Sequence, residues 1–222
     1  MTSDFKDKVV LITGAGKGKG RRLAETFAGL GAFVAANDIS PINLDEVVNQ
    51  GGVKIKAYME DIAKKVAIQS IINQVDDDFG RIDILINHAA VEPTSSLLDM
   101  DEWDWHRTLD VNLTGAFLAM QSAGRVMRVQ GSGVIINLIS TGAFQDIQLL
   151  NKGAYMASMY GLMALTRAAA DELAAFGIQV HGVGTGLAEF HKAEPNTPSN
   201  LIGAVLYLCG SSVTGQFVNV KE

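Results

Sequence analysis

The chain of 222 residues alternates between short apolar runs and longer segments with helical periodicity, and this alternation constrains its fold more than any other feature. The short runs are rich in β-branched residues and almost continuously apolar, which is typical of strands buried on both faces of a parallel sheet. They cover residues 9–12, 33–36, 53–58, 82–86, 134–139, 178–183 and 216–220. The predicted helices cover residues 21–30, 63–79, 113–129, 155–176 and 199–209. Repeated strand–helix–strand units predict a doubly wound, mainly parallel seven-stranded α/β sheet with helices on both faces.

The composition is that of one globular domain. Apolar residues make up 48% and charged residues 19%, which excludes a disordered chain. The chain has no linker or repeat, so residues 1–222 are predicted to form a single domain. Lys and Arg number 18 against 24 Asp and Glu, and there is no basic block. This balance argues against a general nucleic-acid binder or a protein of the membrane surface.

Three further features of the sequence bear on location and metal binding. Cys209 is the single cysteine, which excludes an internal disulfide framework and argues against a cysteine-based metal site. The N-terminal charges precede a strand and not the apolar core of a signal peptide. No apolar run approaches the ~18 residues of a membrane span. We therefore expect a soluble, cytoplasmic protein without a metal centre.

A glycine-rich turn joins the first strand to the first helix. Glycines let the backbone turn tightly and approach a pyrophosphate, whose charge is stabilised at the N-terminus of the next helix. The sequence therefore predicts a dinucleotide site here. The predicted contacts are Gly14, Gly16, Lys17, Gly18, Lys19 and Gly20. A methyltransferase with a glycine-rich first turn would show the same pattern, so this motif alone leaves that alternative open.

Asp38 ends the second strand about 20 residues beyond the glycines, where an acid bonds the ribose hydroxyls of a dinucleotide. Its charge would repel a 2′-phosphate, and it therefore favours NAD(H). Lys17 argues for NADP(H), since a cation there could meet that phosphate. Asp38 carries more weight because its position is the usual discriminator, and NADP(H) remains possible.

Four motifs beyond the glycine turn together resemble the short-chain dehydrogenase/reductase family. The tetrapeptide Asn-His-Ala-Ala at 87–90 follows the fourth strand, and Asn112 lies in Val-Asn-Leu-Thr-Gly. Ser140 ends the fifth strand, and Tyr155 opens Tyr-Met-Ala-Ser-Met. The resemblance runs over residues 8–220 and argues strongly against the methyltransferase. It implies a Rossmann-like fold and hydride transfer between a nicotinamide and a small carbonyl or alcohol substrate.

The resemblance also implies roles for particular residues. Tyr155 would be the general acid or base, Ser140 would hold the substrate oxygen, and Asn112 would help to hold a proton-relaying water. Further cofactor contacts would be Asp61, which matches an adenine-contacting acid, and Ile62, Asn87, Ala89, Met159 and Gly186. The helices over 113–129 and 155–176 would form the interface of a homodimer or homotetramer.

Met159 is the chief departure from the family pattern, which has a lysine four residues after the tyrosine. An unperturbed tyrosine has a pKa of about 10, and a nearby cation would lower it toward neutral pH. A thioether carries neither charge nor hydrogen-bond donor. Lys152 precedes the helix and is not expected to take over the role.

Other departures are Ala90, Thr185 in place of proline, and a short segment at about 186–198 where relatives carry a substrate lid. The sequence therefore predicts an oxidoreductase with a weakened or altered site. The alternative is a non-catalytic dinucleotide-binding sensor or assembly protein on the same scaffold.

Overall fold

Seven parallel strands form one sheet in the order β3-β2-β1-β4-β5-β6-β7. The computed structural model describes residues 4–140, 150–185, 187 and 197–221. The strands are β1 Val9–Thr13, β2 Phe33–Asp38, β3 Ile55–Met59, β4 Ile84–Asn87, β5 Gly133–Ser140, β6 Ile178–Thr185 and β7 Phe217–Asn219. The chain builds outward from β1 to β3, then returns to place β4 on the other side of β1. This order confirms the predicted doubly wound, Rossmann-like sheet.

Helices cover both faces of the sheet. Within the described ranges they are α1 Gly18–Gly29, α2 Pro41–Gly51, α3 Lys65–Phe79, α4 Glu102–Leu109, α5 Ala116–Gln130, α6 Gly153–Leu173 and α7 Leu201–Cys209. One apolar core lies between the sheet and α3, α5 and α6, and a second lies between the sheet and α1, α2 and α7. No helix in the described parts of the chain has both the length and the hydropathy needed to cross a membrane.

Strand β1 shows why the apolar runs are continuous. Val9 and Leu11 pack into the first core, while Val10 and Ile12 pack into the second. Alternate side chains of a strand point to opposite faces, so a strand covered on both sides needs apolar residues throughout. Full burial of each such side chain contributes about 1.5–3 kcal/mol.

Several boundaries differ from the sequence prediction. The third strand begins at Ile55, because Gly52–Lys54 forms a 3₁₀ turn that Gly52 enters with φ +61°. Helix α2 was not predicted, although the pair Ser40 and Pro41 marks its start: the Ser40 hydroxyl accepts a hydrogen bond from the backbone N–H of Asn43. Asp101 caps α4 by accepting a hydrogen bond from the Trp103 N–H.

The predicted helix over 113–129 is not uniform. A π-helical segment, Asp110–Gly115, joins α4 to α5. Segments of this kind are rare, and they occur frequently at functional sites. Here the segment contains Asn112, one of the predicted site residues.

Candidate active site and dinucleotide cleft

A cleft of about 270 Å³ opens at the carboxyl ends of β1, β2 and β4. Strands β1 and β4 flank the point at which the strand order reverses, which is where open α/β sheets bind ligands. Its lining includes Gly14, Asp38, Asp61, Ile62, His88 and Ala89. The fold thus brings together residues that are up to 75 positions apart.

The glycine turn forms one wall of the cleft, and Gly14, Gly16 and Gly20 in it leave no room for a Cβ. Gly14 has φ +68°, and a Cβ there would lie 2.8 Å from the Cα of Ala89. A Cβ on Gly20 would collide with the Gly14 carbonyl and lie 2.6 Å from His88 Nδ1. Lys17 occupies the N-cap position of α1, and its side chain does not cap the helix. The backbone N–H groups and the dipole at a helix start suit an anionic pyrophosphate.

Asp38 is held rigidly at the cleft. Its Oδ2 accepts a hydrogen bond of 3.0 Å from the Gly16 N–H, and its Oδ1 accepts one of 3.0 Å from the Ser40 N–H. Arg21 donates to the Gly16 carbonyl through Nε at 3.0 Å and Nη2 at 2.6 Å, and pairs with Glu46 at 2.7 Å. The turn and the acid therefore form one connected unit.

Asp61 lies on the opposite wall and pairs with Arg107 of α4. Arg107 Nη1 lies 3.2 Å from Oδ1 and 2.9 Å from Oδ2 of the carboxylate. Burial alone would raise the pKa of Asp61, but hydrogen bonds from Arg107 and the Ala63 N–H, with the charges of Arg107 and Lys64, together hold that pKa below its usual value. Sequence reasoning missed Arg107, and no local signal marks a partner 46 residues away.

Ser140 and Thr185 end the neighbouring strands β5 and β6. They are paired in register, and their hydroxyl oxygens lie 2.7 Å apart. Two hydroxyls therefore meet at the carboxyl edge of the sheet, where sequence reasoning expected one.

Asn112 ties three parts of the site together. Its amide nitrogen donates to the Ser158 hydroxyl at 3.0 Å and to the Val91 carbonyl at 2.9 Å, and its oxygen accepts from the Val91 N–H at 2.8 Å. Ser158 in turn donates to the Tyr155 carbonyl at 2.6 Å. The π-helical segment, the loop after β4 and the first turn of α6 are thereby fixed to one another, and Tyr155 lies half-buried in that turn.

Comparison with known proteins agrees with this geometry. The family model described as short chain dehydrogenase matches residues 8–198. The chain belongs to the short-chain dehydrogenase/reductase family. Family membership makes it a relative of oxidoreductases that bind nicotinamide dinucleotides.

Individual relatives cover most of the chain. An uncharacterised oxidoreductase of Thermotoga maritima is 37% identical over 208 residues, which are 90% of this chain and 81% of that protein. An NAD-dependent glycerol dehydrogenase of Listeria innocua is 34% identical over 180 residues, 81% of this chain and 70% of the relative. The crystal structure of a 3-ketoacyl-(acyl-carrier-protein) reductase from Brucella melitensis, complexed with NADH, superposes with a TM-score of 0.86 at 26% identity and covers 97% of both chains.

Met159 stands at the position where the family pattern has a lysine, and Lys152 is the lysine nearest to it in the sequence. Met159 is only 2% exposed and belongs to the apolar core under α6. Lys152 stands at the N-cap position of α6, and its Nζ lies 2.5 Å from Oε1 of Glu92. Its charge is therefore already engaged by a carboxylate.

The remaining predicted residues are placed as follows. Lys19 lines a second surface cavity with Arg22 and Lys221 and is not among the residues that line the main cleft. Asn87 is buried at the end of β4 and donates to Asn137 Oδ1 at 2.8 Å. Gly186 and most of the short segment at about 186–198 lie outside the described residues. Within the described ranges, no group of three His, Cys, Asp or Glu is arranged to hold a metal ion.

Proposed function

We propose that the protein is an NAD(H)-dependent oxidoreductase that transfers a hydride between the nicotinamide and a small carbonyl or alcohol substrate, with an altered catalytic site. The observation that carries this proposal is the cleft at the strand-order reversal, with the Asp38 carboxylate fixed beside a turn in which Gly14 and Gly16 have no room for a Cβ. A bound nicotinamide would supply or accept the hydride.

Residues in and beside the cleft suit the parts of a dinucleotide. Gly14, Gly18 and the start of α1 suit the pyrophosphate, while Asp38 suits the ribose hydroxyls and disfavours a 2′-phosphate. Asp61 and Ile62 suit the adenine. Lys17 also lines the cleft, so NADP(H) binding is the weaker alternative.

The chain's own residues would handle the proton. In carbonyl reduction the Tyr155 hydroxyl gives its proton to the substrate oxygen, and in alcohol oxidation the tyrosinate takes it back. The Ser140 hydroxyl, held by Thr185, orients the same oxygen. Asn112 acts by fixing the segment that carries Tyr155, since its side-chain amide is engaged by Val91 and Ser158.

The apolar residue at Met159 gives this site a specific pH dependence. A lysine at that position would lower the pKa of a neighbouring tyrosine, and the Met159 thioether, which has neither charge nor hydrogen-bond donor, does not. We therefore expect the rate of alcohol oxidation to continue rising above about pH 9. A plateau near neutral pH would show that another group lowers the tyrosine pKa.

The first experiment is calorimetric titration with NADH and NADPH. We expect NADH to bind more tightly than NADPH. Asp38→Ser should weaken NADH binding and reduce the difference in affinity between the two dinucleotides. A folded protein that binds neither dinucleotide would refute the proposal. Where NADH binds, a screen of carbonyls and alcohols follows, with Tyr155→Phe expected to remove most turnover. Undiminished turnover in that variant would contradict the assigned acid.

A second candidate is a non-catalytic dinucleotide-binding sensor or assembly protein. The burial of Met159 at the lysine position and the pairing of Lys152 with Glu92 favour it. Met159→Lys separates the two candidates. A large gain in turnover would support a near-competent enzyme, while tight NADH binding without turnover in either form would support the sensor.

We further propose that the protein forms a cytoplasmic homodimer or homotetramer through α5 and α6. A groove of about 330 Å³ runs between these helices and exposes Phe117 and Phe176, with Arg125 and Glu172 on its rim. An apolar groove bordered by opposite charges suits a symmetric partner. Light scattering tests this: a monomer at micromolar concentration would contradict it, and Phe117→Glu should dissociate the oligomer.

A further inference from the structure

His88 stands at the glycine turn, where the resembled pattern has asparagine. Its Nδ1 lies 3.0 Å from the Gly14 carbonyl oxygen, and its ring packs against Gly20 in the first turn of α1. The residue is partly exposed and lines the dinucleotide cleft. The imidazole is thus part of the wall that would receive an anionic ligand.

The hydrogen bond to Gly14 fixes which ring nitrogen carries the proton. A carbonyl oxygen only accepts hydrogen bonds, so Nδ1 must be the donor and Nε2 keeps its lone pair in the neutral ring. Among the described residues, no hydrogen-bond partner of Nε2 is found. A second proton would therefore be added at Nε2 without breaking the contact to Gly14.

The surroundings favour the neutral ring in the free protein. Burial lowers the pKa of His88, and the charge of Lys19 on α1 lowers it further. Hydrogen bonds to Gly14 and Thr13 and the charge of Asp38 on β2 oppose this only in part. Lys17, Asp61 and Arg107 also line the cleft, and the latter two neutralise each other as an ion pair.

We propose that His88 couples dinucleotide binding to proton uptake: the imidazole becomes cationic when the phosphates of the ligand approach the glycine turn. This inference rests on the proposed function. The negative charge of a pyrophosphate at the start of α1 favours the cationic ring, so one proton adds to Nε2 from solvent as the ligand binds. By linkage, binding must then tighten as the pH falls.

The test measures protons and not turnover. NADH is titrated into the protein by calorimetry at about pH 6.5 in buffers of different ionisation enthalpy, and affinity is followed from about pH 7.5 to about pH 6. We expect net proton uptake on binding. We also expect the affinity for NADH to rise by up to about tenfold for each unit by which the pH is lowered. His88→Asn keeps a donor for the Gly14 carbonyl and removes the titrating nitrogen, so proton uptake and the pH dependence of affinity should both disappear, with weaker NADH binding than in the parent at about pH 6.

The matched control is His106→Asn, because His106 is exposed on α4 and lies outside the cleft lining. The His106→Asn variant should show the same proton uptake and the same pH dependence of NADH affinity as the parent. NADH binding without proton uptake, or equal uptake in His88→Asn, would refute this inference and leave the proposed function standing. No NADH binding by the folded parent would refute both. Thermal unfolding of each variant verifies that the folded state is compared throughout.

Discussion

Acid stability should depend on one buried imidazole, that of His181. The side chain lies in β6 and is 0% exposed. Its Nε2 is 3.3 Å from Gln179 Oε1, and its Nδ1 is buried without a hydrogen-bond partner in the described residues. Burial disfavours the charged ring and lowers the pKa of His181 to about 4 from the ordinary 6.5.

The size and sign of the effect follow from these two pKa values. Between pH 6.5 and pH 4 the unfolded chain binds this proton and the folded protein does not. The stability contributed by the neutral ring is therefore fully present above about pH 6.5 and is lost as the pH falls toward 4. One pKa unit corresponds to about 1.4 kcal/mol, so the loss is about 2 kcal/mol at pH 5 and about 3 kcal/mol in full.

The perturbation is His181→Asn, which places a neutral amide in the same strand. Urea unfolding of the parent and the variant at a fixed protein concentration gives the free energy of unfolding at each pH. From about pH 7.5 to about pH 5, the variant should lose about 2 kcal/mol less than the parent. His106→Asn, at an exposed position, should follow the parent. An identical acid loss in His181→Asn and the parent would refute the reasoning.

Substitutions at three further sites, with Gly29→Ala as a control, test other parts of the structure. Asp83 accepts hydrogen bonds from two cationic side chains and a backbone N–H, so Asp83→Asn should lower the free energy of unfolding by about 2–3 kcal/mol in urea; an unchanged midpoint would contradict this. Gly20→Ala should weaken NADH binding at least about tenfold, because its Cβ would meet the Gly14 carbonyl. Gly29→Ala, with open space around it, should bind NADH normally. Met159→Leu should lower the free energy of unfolding by less than about 1.5 kcal/mol, and Met159→Lys should lower it by clearly more. Equal losses of stability in the two variants would show that the site is not apolar.

Local features of the sequence were sufficient to predict the fold. The continuous apolar runs marked all seven strands, and the glycines after Thr13 marked the turn, because each signal is carried by contiguous residues. The left-handed φ of +72° at Gly177, which ends the last turn after α6, was also predictable from a glycine before a strand. Helix α2 was missed although its start at Ser40 and Pro41 is equally local.

The sequence alone also determined the candidate site residues on the family pattern, including Asp38, Ser140 and Tyr155. What it could not supply is their partners. The bond of Ser140 to Thr185 depends on the register of β5 and β6, and the pairing of Lys152 with Glu92 joins segments 60 residues apart.

Only the tertiary structure decided that Met159 is sealed in the apolar core and that Arg107 holds Asp61. A sequence pattern records which side chains are near along the chain, whereas burial and ion pairing depend on which elements the crossovers bring together. The altered chemistry proposed for this site therefore starts from Met159 at the lysine position of the family pattern, and the tertiary packing adds that this side chain is buried in the apolar core.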